Sequence, residues 1–182
     1  MLLIKNGCIH DAVSREPYIA DIMVENGKIT AINTGTMLSG ALPDSMDNCE
    51  AEVLDIKGLN VYPGLVDAHS HLGLDGYAIG FESQDYNEMN DIVTPQLRAI
   101  DGFYPQDETV KLAREGGVTC VGTGPGSSNV LGGMFMAVKT YGHRVDDMVV
   151  KFPVAMKCAF GENPKRCYKD KGNYSRMTTA FR

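Results

Sequence analysis

Two histidines one residue apart, His69 and His71, preceded at the same spacing by Asp67, are the side chains best suited to chemistry in this sequence. They lie within Val61-Tyr62-Pro63-Gly64-Leu65-Val66-Asp67-Ala68-His69-Ser70-His71-Leu72-Gly73. Pro63-Gly64 reads as a turn, and the short apolar run of Leu65, Val66 and Ala68 reads as a buried strand rather than a helix. Side chains on a strand alternate faces, so Asp67, His69 and His71 point the same way, with the imidazoles about 6 to 7 Å apart. Two neutral imidazole nitrogens at that spacing can converge on one divalent ion. Asp67, one step deeper, is placed to accept a hydrogen bond from a ligand histidine. Histidine pairs on strands are commonly surface or core residues; here the apolar strand, the turn and the aspartate in phase favour a metal site.

The segment resembles the strand-one signature of the amidohydrolase superfamily, Pro-Gly-x-x-Asp-x-His-x-His, matched at Pro63, Gly64, Asp67, His69 and His71. The resemblance implies an α/β fold, a TIM (β/α)8 barrel with an amino-terminal β half-sandwich. It also implies one or two divalent ions, commonly zinc, activating water against an amide or cyclic amide C–N bond. The overall sequence most resembles the imidazolonepropionase-like and cyclic-amide branches. Such a barrel takes about 250 residues, whereas this sequence has 182. The expectation is therefore an amino-terminal part: residues 1–60 as a small composite β domain, and 61–182 as a truncated barrel carrying its first three strands. The acid/base aspartate and two further histidines would follow later in such a chain, so the fragment alone is expected to be inactive.

The elements that must position the histidines can be taken in order. Residues 2–5 and 7–10 read as strands, and Ile22 to Glu25, Asn26-Gly27, then Lys28 to Ile32 read as a hairpin with a type I′ turn. A turn-rich patch from Gly35 to Asn48 precedes a strand over 51–56. After His71, residues 73–105 form a long acidic segment, either functional or a solvated insertion. Pro105 to Gly117 is the clearest helix, capped by Asp107 and stopped by Gly116-Gly117. It leads into the β-branched strand Val118 to Val121, completing a β-α-β unit. The glycine-rich stretch 122–133 lacks the spacing of a phosphate or dinucleotide loop. It reads either as a mobile loop at a pocket mouth or as a plain linker. Met134 to Tyr141 alternates like a strand, and 175–182 begins a helix. His10 and His143 read as structural and surface residues, and Lys139 as a solvated lysine.

Val149 to Phe160 would be the third barrel strand. Glu162, just past it, stands where a third metal ligand is needed, and a carboxylate would complete a His-His-Glu set. Its competing role is an ion pair with Lys165 or Arg166. The deacetylase-type members that the chain resembles in this respect bind metal through such a glutamate; others use a carboxylated lysine. Lys157 is the local residue able to play that part, although the expected strand places it well inside.

Composition bounds the rest. Hydrophobic residues at 43% allow a packed core, and no apolar run is long enough for a membrane span. No secretory leader is evident. Five cysteines, with no Cys-x-x-Cys spacing, read as reduced thiols of a cytoplasmic protein. The net charge of −6 argues against nucleic acid as a partner. A local +5 over 163–182 reads as solvated surface or, less simply, an anion site. The expected partners are a small-molecule substrate and a second copy or complementing chain. The competing reading is a non-catalytic scaffold that buries its open sheet edge against another chain.

Overall fold

The computed structural model describes residues 1–35, 52–77 and 80–171. The patch 36–50, Cys49, the first residue of the 51–56 strand and the 175–182 helix lie outside the described residues. The chain divides into two compact units, Met1–Pro63 and Gly64–Arg182.

The first unit is one mixed sheet of β1 (Leu2–Ile9), β2 (Tyr18–Glu25), β3 (Lys28–Asn33), β4 (Glu52–Asp55) and β5 (Asn60–Val61). The order is β3-β2-β1-β4, with β5 also on β1. The segments 2–5 and 7–10 continue as one strand, with a register irregularity between Ile4 and Gly7. The β2–β3 hairpin turns at Asn26-Gly27 with φ of 51° and 73°, the two positive values that a type I′ turn demands. Ile9, Ala20 and Ile22 are buried together, with Ile4, Tyr18, Val24 and Val61 against them. His10 stacks on Tyr62 at 4.3 Å and reaches Asn60 at 3.0 Å, as expected of a structural histidine.

The second unit holds β6 (Leu65–Ser70), β7 (Val118–Thr123), β8 (Leu131–Lys139) and β9 (Val149–Cys158), in that order. Its helices are α1 (Ala99–Gly102), α2 (Glu108–Glu115), α3 (Val145–Met148) and α4 (Glu162–Cys167). β6 and β7 are parallel, joined through the expected helix α2. β8 runs antiparallel to both β7 and β9, so β9 regains the direction of β6 and β7. The sheet is mixed because the chain turns back after β7 through a glycine-rich loop, with no crossover helix at that step.

The expectation of a buried first strand is not met. β6 pairs only with β7 among the described residues, and Val66 is 70% exposed. An edge strand with one open face leaves its apolar side chains uncovered. The core lies further in, where Val110 of α2, Val121 of β7, Met136 and Val138 of β8 and Met148 of α3 are buried with Leu74 and Phe103.

Helix α2 starts where Asp107, itself buried, accepts hydrogen bonds from the Thr109 N–H at 2.8 Å and from the Tyr77 N–H at 3.2 Å. Gly117, at φ 88°, ends it. Replacing Asp107 by Ala strips the cap and removes the acceptor of the Thr109 and Tyr77 N–H groups. The expected loss is about 1 to 2 kcal/mol of stability, read as a lower urea midpoint with an unchanged slope.

Candidate metal centre

His69 is the fifth residue of β6 and His71 lies just past its carboxyl end. The two rings are 5.7 Å apart, centroid to centroid, and nearly perpendicular at 89°, so the strand presents both to one side as the alternation requires. His71 Nδ1 donates to the Gly124 carbonyl at 2.7 Å. A carbonyl only accepts, so this bond fixes the proton on Nδ1 and leaves the Nε2 lone pair available to a cation. Gly124 follows the carboxyl end of β7, and the ring bond therefore ties the ends of β6 and β7 together.

Among the described residues no hydrogen bond joins Asp67 to either imidazole. Its carboxylate folds back to accept the His69 backbone N–H at 3.1 Å, and the pairing of β6 with β7 is irregular between Asp67 and Ser70. The ring partner is a main-chain oxygen supplied by the neighbouring strand, which side-chain types cannot reveal.

On the other side of the pair, Lys157 Nζ stands 3.3 Å from His69 Nε2. β9 ends at Cys158 rather than Phe160, so Lys157 is next to last in its strand and not deep inside it. Its ammonium lies 5.9 Å from the centre of the buried Phe135 ring, and the same ring meets His69 edge-on at 5.2 Å. Burial lowers the lysine pKa, which favours the neutral amine. A lone lysine between apolar neighbours near a strand end was the sequence cue, weakened by an overlong estimate of the strand.

Glu162 opens α4 and lies 3.5 Å from Lys165 Nζ, with its side chain 66% exposed. Among the described residues no three His, Cys, Asp or Glu side chains stand close enough to hold a metal ion. The donors actually gathered are thus His69, His71 and the Lys157 amine. Two imidazoles suit zinc or a similar ion; an ammonium does not, and the lysine fits only as its carboxylated derivative.

Described residues of the acidic segment meet this end of the sheet. Tyr86 stacks on His71 at 5.2 Å and 17°. The glycine-rich stretch, whose residues read either as a loop at a pocket mouth or as a plain linker, is mostly buried: Asn129 is fully enclosed and donates to the carbonyls of Glu88 and Asp91 at 3.0 and 2.7 Å. Two clefts adjoin the segment, of about 210 and 400 Å³. Neither is lined by His69 or His71, so the histidines stand on an open face, and the chemistry is located by the donor atoms rather than by a cavity. His143 is exposed and reaches Gln106 at 3.3 Å.

No family model matches this sequence. The amidohydrolase tasK of Hapsidospora irregularis is 32% identical over 162 residues, covering 83% of this chain and 16% of that protein. An N-substituted formamide deformylase of Arthrobacter pascens is 33% identical over 101 residues, covering 55% and 16%. A dihydroorotase of Lactococcus lactis is 41% identical over 70 residues, covering 38% and 14%. The crystal structure of an amidohydrolase from Thermotoga maritima superimposes with a TM-score of 0.86 at 38% identity, covering all of this chain and 45% of that one. The chain thus spans about a sixth of the length of these curated relatives. On the strength of the histidine strand, the shared fold and these relatives, the chain belongs to the amidohydrolase superfamily and corresponds to its amino-terminal part.

Proposed function

We propose that this chain is the amino-terminal part of a metal-dependent hydrolase of amide or cyclic amide C–N bonds, with its strands β6, β7 and β9 belonging to a TIM barrel. The observation that carries the reading is the His71 Nδ1 bond to Gly124 O at 2.7 Å, beside His69 at 5.7 Å. Relatives named for acting on a formamide and on dihydroorotate support the substrate class.

His69 and His71 would hold the ion through imidazole nitrogens. The third donor is either Glu162 or Lys157. Glu162 would have to leave Lys165 and approach the pair, whereas Lys157 already stands at His69. The geometry therefore favours Lys157, whose neutral amine can add to carbon dioxide. The nitrogen–carbon bond forms, one C–O π bond opens to a carboxylate, and the amine releases one proton. Partial burial lowers the lysine pKa and so shifts it toward the uncharged form. A bound divalent ion would supply acidification of water and polarisation of a carbonyl. Around it, Gly124 O would orient one imidazole and Tyr86 would cover its face.

A second reading, a non-catalytic scaffold, draws on exposed Leu65 and Val66 of β6. Metal analysis separates the two. Purified wild-type protein dialysed against zinc is expected to retain it, and His69→Ala and His71→Ala to lose most of it; a His69→Ala variant holding as much zinc as wild type removes the metal reading.

Carboxylation is checked by carbon NMR in labelled bicarbonate: a carbamate signal is expected in wild type and not in Lys157→Ala. Its persistence in that variant, together with zinc loss in Glu162→Gln, would assign the third position to Glu162. The 182 residues by themselves are expected to release no product from a formamide or a cyclic amide. Turnover comparable to an intact amidohydrolase by homogeneous, zinc-loaded protein would contradict this.

A further inference from the structure

Tyr86 belongs to the long acidic segment to which the sequence assigned no role, yet its ring lies flat against His71, 5.2 Å between centroids and 17° between planes. Its placement is held from several sides. The Tyr86 carbonyl accepts the Gly126 N–H at 2.6 Å, and the Asp85 N–H donates to Leu74 O at 2.8 Å. A Cβ at position 126 would come within 2.6 Å of the Tyr86 ring and 2.3 Å of Asn87 Oδ1, so the two segments meet at a distance only glycine permits. The Ser128 N–H donates to Asn87 Oδ1 at 3.3 Å.

Two residues further along, the anchoring is buried. Asn129 and Tyr168, both enclosed, share a 2.7 Å hydrogen bond, and the Tyr168 hydroxyl also donates to Asp91 O at 2.8 Å. Hydrogen bonds made away from water are costly to pull apart, and these fix the segment that carries Tyr86.

The His71 ring is therefore confined by an in-plane bond to Gly124 O on one edge and by an aromatic face on one side. The Gly124 bond alone leaves the ring free to tip about its Nδ1–O axis; a stacked neighbour removes that freedom. We propose that Tyr86 is a positioning residue that holds the His71 imidazole in the plane in which its Nδ1–H meets Gly124 O and Nε2 faces outward, and that the Asn129–Tyr168 pair secures Tyr86 for this task. The consequence for metal uptake rests on the metal reading given above; the effect on the ring does not.

The test uses the 182-residue chain with Tyr86→Leu, which keeps bulk and removes the aromatic face, and Tyr86→Phe, which keeps the ring. In metal-free protein above neutral pH, long-range nitrogen–proton NMR reads the His71 tautomer. Wild type and Tyr86→Phe are expected to show Nδ1–H alone, and Tyr86→Leu a mixture of the two tautomers. In zinc titrations against a competing chelator, Tyr86→Leu is expected to bind about ten-fold more weakly, with Tyr86→Phe close to wild type. A Tyr86→Leu protein with the wild-type tautomer overturns the proposal. So does a Tyr86→Phe protein as impaired as Tyr86→Leu, since the stacked face would then not be the cause. Failure of wild type to take up zinc removes the metal reading, and the ring spectrum then decides the role of Tyr86 by itself.

Discussion

The hydrogen bond from His71 Nδ1 to the Gly124 carbonyl is the constraint on which the site depends. It joins two parallel strands at their carboxyl ends, and it does so through a main-chain acceptor that cannot rotate away. An imidazole in solution exchanges between tautomers and turns about two bonds; this one has a single proton position, with the remaining nitrogen directed outward. Gly124 can stand so near because it lacks a side chain: a Cβ there would fall 2.2 Å from Phe135. The glycine, the phenylalanine and the histidine are parts of one packing solution.

Phe135 extends that solution to the other side of the site. It lies on β8, the strand that reverses direction between β7 and β9, and it meets His69 edge-on while Lys157 hangs over it. Through the inserted antiparallel strand, Phe135 packs beside His69 and Lys157, which themselves meet at 3.3 Å. The mixed sheet thus brings one aromatic ring against both an imidazole of β6 and the amine of β9.

The covering segment is held by a different kind of force. Its backbone carbonyls at Glu88 and Asp91 are bonded by Asn129 and Tyr168 in a dry environment, where burial also raises the Tyr168 pKa to about 12. Among the described residues Asn129 Oδ1 is buried without a hydrogen-bond partner, a cost offset by its amide nitrogen, whose two protons are shared among three close acceptors. Packing the glycine-rich stretch against this segment makes it an anchored wall.

Much of the local structure was legible in the residues themselves. The Asn26-Gly27 hairpin, the Asp107-capped helix and the common face of His69 and His71 each follow from interactions within a few positions, which turn chemistry, capping and strand alternation encode directly. Exposure of β6, the reversed β8 and the buried glycine stretch were not legible, because each depends on which strand lies alongside, at separations of tens of residues. The sequence by itself determined that His69 and His71 share one face of a strand, through the period that aligns them. Only the tertiary structure decided that a carbonyl from β7 and a lysine from β9 stand beside them, since a backbone oxygen carries no residue identity and a strand end is set by pairing rather than composition.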